Sequence, residues 1–252
     1  MKLLRTLAVA LLSLPSVAHA ADVRKVLAVP RHQIETADYR AVGRLVRIDP
    51  KGARTNYGVT VKAHWFAGVL RILVDIGAPQ QARSHVLLEM RPNGQNVIRI
   101  VHPGDKTAAI VPFDKWDDSP FGPGFSYEDF LQPEFYWPGQ TELEETRYGA
   151  RDCDVVKSAP GPNDRTHYAE IKTWLDHSIG FPVYVEKILK ESGTTKQFTY
   201  IGLRHEGGVW SASQVEGKIR GQAGSTLFII ERGSAKANLT LGDFSPESLT
   251  RF

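Results

Sequence analysis

The sequence of 252 residues predicts a mainly β protein (α+β, with little helix) built on one large antiparallel sheet or barrel. Three observations carry this prediction. Apolar and polar residues alternate with a period of two in several runs, which is typical of strands covered on one face. Turn-forming combinations of Pro, Gly, Asn and Asp separate these runs at short intervals. No long segment has helical periodicity, which favours a continuous sheet over layers of strands and helices.

The alternating runs define the expected strands. In the first half, three runs have one apolar face: Val59, Val61, Ala63 and Trp65; Leu70, Ile72, Val74 and Ile76; Val86, Leu88 and Met90. In the second half, strands are predicted near residues 141–148, 154–157, 166–175, 182–189, 196–203, 209–219 and 226–231. Their regular spacing indicates antiparallel neighbours joined by short turns.

Three short helices are predicted from capping residues and prolines. Asp22 can cap the first helix, which Pro30 should end or kink. Ser126 can begin the second helix, and Pro133 stops it. The third begins at Ser245, which is followed by proline at the first helical position.

The N-terminus has the pattern of a secretory signal peptide. A basic start precedes a short apolar run over residues 7–14, and Ala18-His19-Ala20 supplies small residues at the cleavage positions. We therefore expect a signal peptide over residues 1–20, cleavage after Ala20 and a periplasmic protein. Residues 21–252 should form a single domain without an integral membrane segment, because every later apolar run is interrupted by charge. An uncleaved membrane anchor is the alternative.

Composition argues against several classes of function. Two of the three net positive charges lie in the predicted signal peptide, so that the exported chain is nearly neutral and is not expected to bind nucleic acid. The histidines lack metal-site spacing, and no Gly-rich turn opens a helix after a buried strand. Cys153 is the only cysteine, and its acidic neighbours should raise the pKa of the thiol. We expect no catalytic residues, no metal site and no cofactor.

Aromatic residues are concentrated between positions 116 and 137. They either plug the core under a loop or line a mobile flap over an apolar cavity. Gly122-Pro123-Gly124 would give such a flap unusual backbone geometry. The candidate ligand-binding residues, taken from the strand faces and the flap, are Trp65, Ile72, Val74, Leu88, Phe121, Phe125, Tyr127 and Phe130.

The same region carries a resemblance to a known family. Residues 121–130, FGPGFSYEDF, resemble the GSDFSYEDL segment of outer membrane lipoprotein-sorting proteins of the LolA-like superfamily. Later segments fit the pattern too: CDVV at 153–156 with Pro160, Tyr168 with WLD at 174–176, FPVYVE at 181–186, and Lys196. The match is best over residues 98–230. Pro123-Gly124 replaces Ser-Asp of the family, and Tyr184 stands where a basic residue is common.

The resemblance implies both a fold and a function. The fold would be an unclosed antiparallel half-barrel with short helices on its concave face and an apolar cavity for acyl chains. The protein would be a periplasmic carrier that moves lipids or lipoproteins toward the outer membrane, with an inner-membrane lipid exporter as a partner and no catalytic residues. A regulatory or sensor domain of the same fold that binds a partner protein is the alternative. A small-molecule hydrolase is the third hypothesis, disfavoured by the lack of a catalytic triad or metal set.

Overall fold

The computed structural model describes residues 19–143 and 145–252. The predicted signal peptide lies almost entirely outside these residues, so that cleavage after Ala20 stays a prediction. The first helix, α1, covers His19–Val26, and it therefore begins before Asp22, which was wrongly expected to cap it. Pro30 lies inside the second helix, α2 (Ala28–Glu35), in the first turn, where its missing N–H is not needed. Within the described ranges, no helix is long and apolar enough to cross a membrane.

In the part of the chain that the structure describes, fourteen strands form one antiparallel sheet that does not close. The first six are β1 (Asp38–Ile48), β2 (Arg54–Phe66), β3 (Val69–Ala78), β4 (Ser84–Met90), β5 (Val97–Val101) and β6 (Ala109–Ile110). The others are β7 (Gly139–Glu142), β8 (Thr146–Tyr148), β9 (Arg151–Ala159), β10 (Tyr168–Asp176), β11 (Pro182–Leu189), β12 (Thr195–Glu206), β13 (Val209–Ile219) and β14 (Ser225–Ser234). Their order across the sheet is β6-β5-β4-β3-β2-β1-β14-β13-β12-β11-β10-β9-β7, and β8 also pairs with β9. The mainly β, unclosed architecture is confirmed.

The strand predictions hold except at one place. The strand expected near 141–148 is interrupted after Glu142, and β7 and β8 pair separately with different parts of β9. Strands β5 and β6 were not predicted from the alternation. The alternation of apolar and polar residues cannot show that one predicted strand is divided into two, because both parts pair with the same neighbour, β9.

The apolar face predicted for β2, β3 and β4 forms the main core. Val61 lies opposite Val74, and Ile72 lies opposite Leu88, so alternate residues share one face of the sheet. This is the concave face, and Leu27 of the helical N-terminal segment packs in the same cluster. Burying each such side chain contributes about 1.5–3 kcal/mol, which fixes α1 and α2 on the concave face, as expected.

The C-terminal segment covers the opposite, convex face. Leu73 and Leu87 of the sheet pack against Phe244 and Leu249. The third predicted helix is α3 (Pro246–Leu249), and Ser245 Oγ accepts a hydrogen bond from the Ser248 amide at 3.2 Å. Its cap was predicted correctly, but this helix lies on the convex face rather than the concave one. The sheet is therefore covered on both faces at β3 and β4.

The chain between β6 and β7, residues 111–138, runs across the concave face from one edge strand of the sheet to the other. We call it the crossing segment. It contains the 3-10 turns Phe113–Lys115, Glu128–Phe130 and Pro133–Phe135, so the helix expected from Ser126 is only a single 3-10 turn. Trp116, Phe121 and Phe135 of this segment are buried in the main core.

Gly124 brings the crossing segment against the backbone of β13. Its φ is +80°, and a Cβ atom there would lie 2.4 Å from the Lys218 amide nitrogen and 2.6 Å from the Gly217 carbonyl carbon. The preceding carbonyl, of Pro123, accepts a hydrogen bond from Thr226 Oγ1 at 2.9 Å. The Pro-Gly pair that departs from the family pattern thus lies in close contact with the sheet.

Gly124→Ala should lower the free energy of unfolding by about 2–5 kcal/mol, because it combines a left-handed backbone conformation with overpacking against main-chain atoms. Gly221→Ala is the matched control, since Gly221 also has a positive φ (+75°) but no atom within 4 Å of the position that a methyl group would take. The control should lose only about 1–2 kcal/mol. Urea unfolding of both variants measures the difference, and equal losses would contradict the close approach.

Candidate functional site

A cavity of about 340 Å³ lies on the concave face, beside the crossing segment. One wall comes from β2 and β3, through Val61, Ala63, Leu70 and Ile72. The other comes from β13 and β14, through Val215, Phe228 and Ile230. Ile34 of α2, Phe130 of the crossing segment and Phe181 add to the apolar lining. The volume lies within the range of small-molecule sites, about 300–1,000 Å³.

One end of the cavity is polar. Asp38 and Tyr39 begin β1 there, and Arg204 and Glu206 come from the end of β12. Burial, together with the charge of Glu206, raises the pKa of Tyr39 to about 12. Tyr39 is neutral at physiological pH, as phenols ordinarily are, and can form hydrogen bonds at this end of the cavity. The cavity thus has an apolar body and a mouth that carries charges of both signs.

Two of the eight predicted ligand-binding residues, Ile72 and Phe130, line this cavity. The other six do not: Val74, Leu88, Phe121 and Phe125 are buried in the cores, and Trp65 and Tyr127 pack against the main core, partly exposed. Phe121, Phe125 and Tyr127 belong to the crossing segment itself, and Trp65, Val74 and Leu88 lie at strand positions outside the cavity. Alternation identified the apolar face correctly but could not show which part of it is left open.

The aromatic residues of the crossing segment pack mainly on each other and on the sheet. Phe121 makes edge contacts with Tyr127 and Phe130, at ring-centroid distances of 5.8 Å and 5.7 Å. Phe125 makes an edge contact with Phe198 of β12 at 5.2 Å. Most of these rings therefore fill the core, as the interpretation of a core plug under a loop expected. Among the rings named here, Phe130 lines the cavity.

The opposite cavity wall was missed by sequence reasoning. Val215, Phe228 and Ile230 lie on strands that were predicted, 209–219 and 226–231, but none of them was chosen as a candidate. Their signal was the same alternation that pointed to Ile72. What was absent from the sequence was the pairing of β1 with β14, which brings the two ends of the chain together around the cavity.

A buried ionic cluster anchors the crossing segment next to the cavity. The Asp129 carboxylate has no exposed surface; its oxygens lie 3.1 Å from Lys196 Nζ and 3.3 Å from Lys187 Nζ. Tyr168 Oη donates to it at 2.6 Å, and the Ser126 amide and hydroxyl donate at 2.8 Å each. These partners come from β10, β11, β12 and the crossing segment itself. Burial opposes ionisation of Asp129, but the two lysines and the hydrogen bonds outweigh it and hold its pKa well below the usual range.

A second buried carboxylate lies beside the first. Glu128 accepts hydrogen bonds from the Thr166 hydroxyl and from the His167 amide, and His167 Nδ1 lies 2.9 Å from Glu128 Oε2. The bond to Glu128 raises the pKa of His167, against the effect of burial. The Ser-Tyr-Glu-Asp motif therefore supplies Ser126, Glu128 and Asp129, whose partners are on the neighbouring strands or beside them. None of these three residues lines the cavity.

Two other groups with chemical potential lie away from the cavity. Glu145, Asp154 and His177 offer oxygen and nitrogen atoms within 4.8 Å of one another, but His177 Nδ1 is already 3.0 Å from Asp154 Oδ1 and the histidine is exposed. Spacing could not predict this group, because its members come from separate elements. Cys153 is buried, and burial raises the pKa of its thiol, as expected for an unreactive side chain.

Comparisons with known proteins agree with this architecture. A protein-family model described as "Uncharacterized protein" matches residues 71–251. This chain belongs to that family. No curated protein matches the sequence significantly.

Solved structures show the same fold at low sequence identity. An outer membrane lipoprotein-sorting protein domain from Vibrio parahaemolyticus is 17% identical, with a TM-score of 0.80 over 91% of this chain and 100% of that one. A DUF1329 family protein from Desulfovibrio piger is 13% identical, with a TM-score of 0.81 over 91% and 98%. A LolA superfamily protein from Nitrosomonas europaea is 13% identical, with a TM-score of 0.66 over 92% and 100%. The chain has the LolA-like half-barrel fold that the resemblance implied.

Lys196→Met should lower the free energy of unfolding by about 3–5 kcal/mol, because it leaves part of the Asp129 charge buried without compensation. Lys172→Met is the matched control: Lys172 is half-buried and makes a surface ion pair with Glu170 at 3.4 Å, which contributes only about 0–1 kcal/mol. Chemical unfolding at pH 7 measures both losses. Similar losses in the two variants would show that the cluster does not anchor the fold.

The same pair of variants should differ in acid. A carboxyl group with a lowered folded-state pKa contributes stability above its unfolded pKa, about 3.9, and this stability is lost as the pH falls toward the folded value. Loss of Lys196 removes an attraction that lowers the pKa of Asp129. Lys196→Met should therefore lose less stability on acidification than wild type or Lys172→Met, so that its deficit in the free energy of unfolding shrinks as the pH falls below about 4. Urea unfolding at several pH values between about 7 and about 3 measures this deficit, and a deficit that does not change with pH would contradict the role of the Asp129 charge.

Proposed function

We propose that this protein is a periplasmic carrier that binds the acyl chains of lipids or lipoproteins in the concave cavity and transports them toward the outer membrane. The observation that carries the proposal is the mostly apolar cavity enclosed between β2–β3 and β13–β14. Each methylene group transferred from water into such a site contributes roughly 0.8 kcal/mol. The polar mouth leaves room for a head group or peptide that stays in contact with water.

The arrangement of the walls supports reversible binding. The cavity is bordered by α2 and by the crossing segment, and the ionic cluster fixes the latter. Small movements of α2 would open the cavity without disturbing the sheet. The site would thus bind and release its ligand without covalent chemistry.

The relatives extend the proposal to location and partners. One structure with the same fold is described as an outer membrane lipoprotein-sorting protein domain, and another as a LolA superfamily protein. By analogy we place this protein in the periplasm, with an inner-membrane lipid exporter as the donor of its cargo. The predicted signal peptide supports the same location.

Ala63→Phe should fill part of the cavity and weaken binding of a fluorescent fatty acid at least tenfold, with little change in melting temperature. Ala63 is half-buried, lines the cavity and pairs with Ile72 across the β2–β3 ladder. Ala169→Phe is the matched control, because Ala169 is an exposed strand residue away from the cavity. Titration of purified protein gives both affinities.

Two results would contradict acyl binding. One is wild-type protein that neither binds the probe nor yields lipid when an organic extract is examined by mass spectrometry. The other is equal affinity in wild type and Ala63→Phe. A regulatory domain whose ligand is only a partner protein predicts the first result.

Export should yield a mature chain that begins at Ala21. The small residues at Ala18 and Ala20 match the positions read by signal peptidase. Intact mass of protein released by osmotic shock measures the new terminus. A chain that retains Met1 and sediments with the inner membrane would contradict the proposed location.

A further inference from the structure

Strands β13 and β14 separate from each other at the mouth of the cavity. They pair only where residues 214–217 lie opposite residues 226–229. Beyond this point β13 continues to Val209 paired with β12, and β14 continues to Ser234 paired with β1. Within the described parts of the chain, residues 209–213 and 230–234 have no strand pairing with each other. We call the gap between these two stretches the slit.

A bulge in β14 and a tight approach in the β12–β13 ladder lie beside the slit. The β12–β13 register is unbroken, but Gly202 has φ +64°, and a Cβ there would lie 2.1 Å from Ser213 Oγ. In the β1–β14 ladder, the register shifts at Gly43 and Glu231 is skipped. Bulges bend a strand and increase its local twist. The bulge therefore bends β14 close to the point where β13 leaves it.

The slit opens directly into the cavity. Five consecutive residues of β13, 209–213, line the cavity, together with Ile230 and residues 233–235. A strand that presents only a face to a cavity contributes alternate residues. Consecutive lining residues indicate that the backbone edge of β13 also borders the space.

Among the described residues, the main-chain groups on that edge have no strand partner. Glu206 and Val209 flank a two-residue turn, Gly207-Gly208, and so form a hydrogen-bonded pair across the β12–β13 hairpin. Because hydrogen-bonded positions alternate, Trp210 and Ala212 direct their N–H and C=O groups away from β12 and into the slit. A row of alternating donors and acceptors is complementary to an extended peptide backbone.

The charges at the mouth also suit a peptide. Arg204 and Glu206 both line this end of the cavity. Among the described residues, neither forms an ion pair. Groups of both signs next to an open strand edge match a polypeptide, which carries donors, acceptors and mixed charge, better than they match an anionic head group.

We propose that the slit accepts an extended polypeptide segment as an additional strand on the β13 edge, while an acyl group attached to that segment occupies the cavity. This inference rests on the proposed acyl-binding function. It adds a peptide-recognition site, formed by residues 209–213, to the apolar cavity. The peptide would satisfy the free groups of Trp210 and Ala212.

Two matched ligands test the inference: an N-palmitoyl hexapeptide and N-palmitoylglycinamide, which has the same acyl chain but no peptide. The hexapeptide should bind the wild-type protein at least tenfold more tightly. Equal affinities would overturn the peptide site and leave acyl binding intact. Failure of both ligands to bind would overturn the acyl-binding function and the peptide site together.

Backbone N-methylation of the ligand tests strand addition without altering the protein. Methyl groups on one alternate set of peptide amides should abolish the tenfold advantage, and methyl groups on the other set should not, because only one set faces the edge. Hydrogen exchange at the Trp210 and Ala212 amides should slow with the hexapeptide and not with palmitoylglycinamide. Tight peptide binding without this protection, or without sensitivity to either methylation pattern, would overturn the assignment.

Discussion

A single buried carboxylate, that of Asp129, determines where the crossing segment lies and therefore where the cavity can be. Moving a carboxylate out of water costs several kcal/mol unless charges and hydrogen bonds replace the solvent. The replacements come from Lys187, Lys196 and Tyr168, which stand on three adjacent strands. The segment cannot shift along the sheet without separating these groups. The aromatic rings of the crossing segment cover one part of the concave face, and the cavity lies over the part that they leave uncovered.

This constraint explains why the recognisable motif and the ligand site are different places. Ser126, Glu128 and Asp129 of the motif, with Tyr168 and Lys196 farther along, are partners in the two buried clusters. Their joint presence indicates that buried ionic and hydrogen-bonded groups hold the crossing segment on the sheet. The cavity is lined by apolar residues that many side chains could replace without loss of volume or hydrophobicity. The resemblance of short sequence segments therefore indicated the fold more directly than it indicated the ligand.

The strands were predictable where apolar and polar residues alternate with a period of two, as they do in β2 and β11, whose buried residues also alternate. The C-terminal segment covers the second face of β3 and β4, which the alternation did not indicate. The sequence could not show which apolar residues line the cavity. Ile72 and Val74 lie two positions apart in the same alternating run, yet of these two only Ile72 lines the cavity. The difference arises from what packs above each residue. The slit was also hidden, because a gap between strands depends on register and bulges rather than on the composition of either strand.

The pairing of β1 with β14 has a consequence for biogenesis. Arg40 lies opposite Ser234, so strands from the two ends of the chain meet in the middle of the sheet. Such nonlocal pairing slows folding, because a long loop must close before the contact forms. During synthesis from the N-terminus, β1 is made first and keeps an unsatisfied edge until β14 follows. An exposed edge of this kind is a template for aggregation, so that we expect partly synthesised chains to need protection by chaperones until β14 is complete.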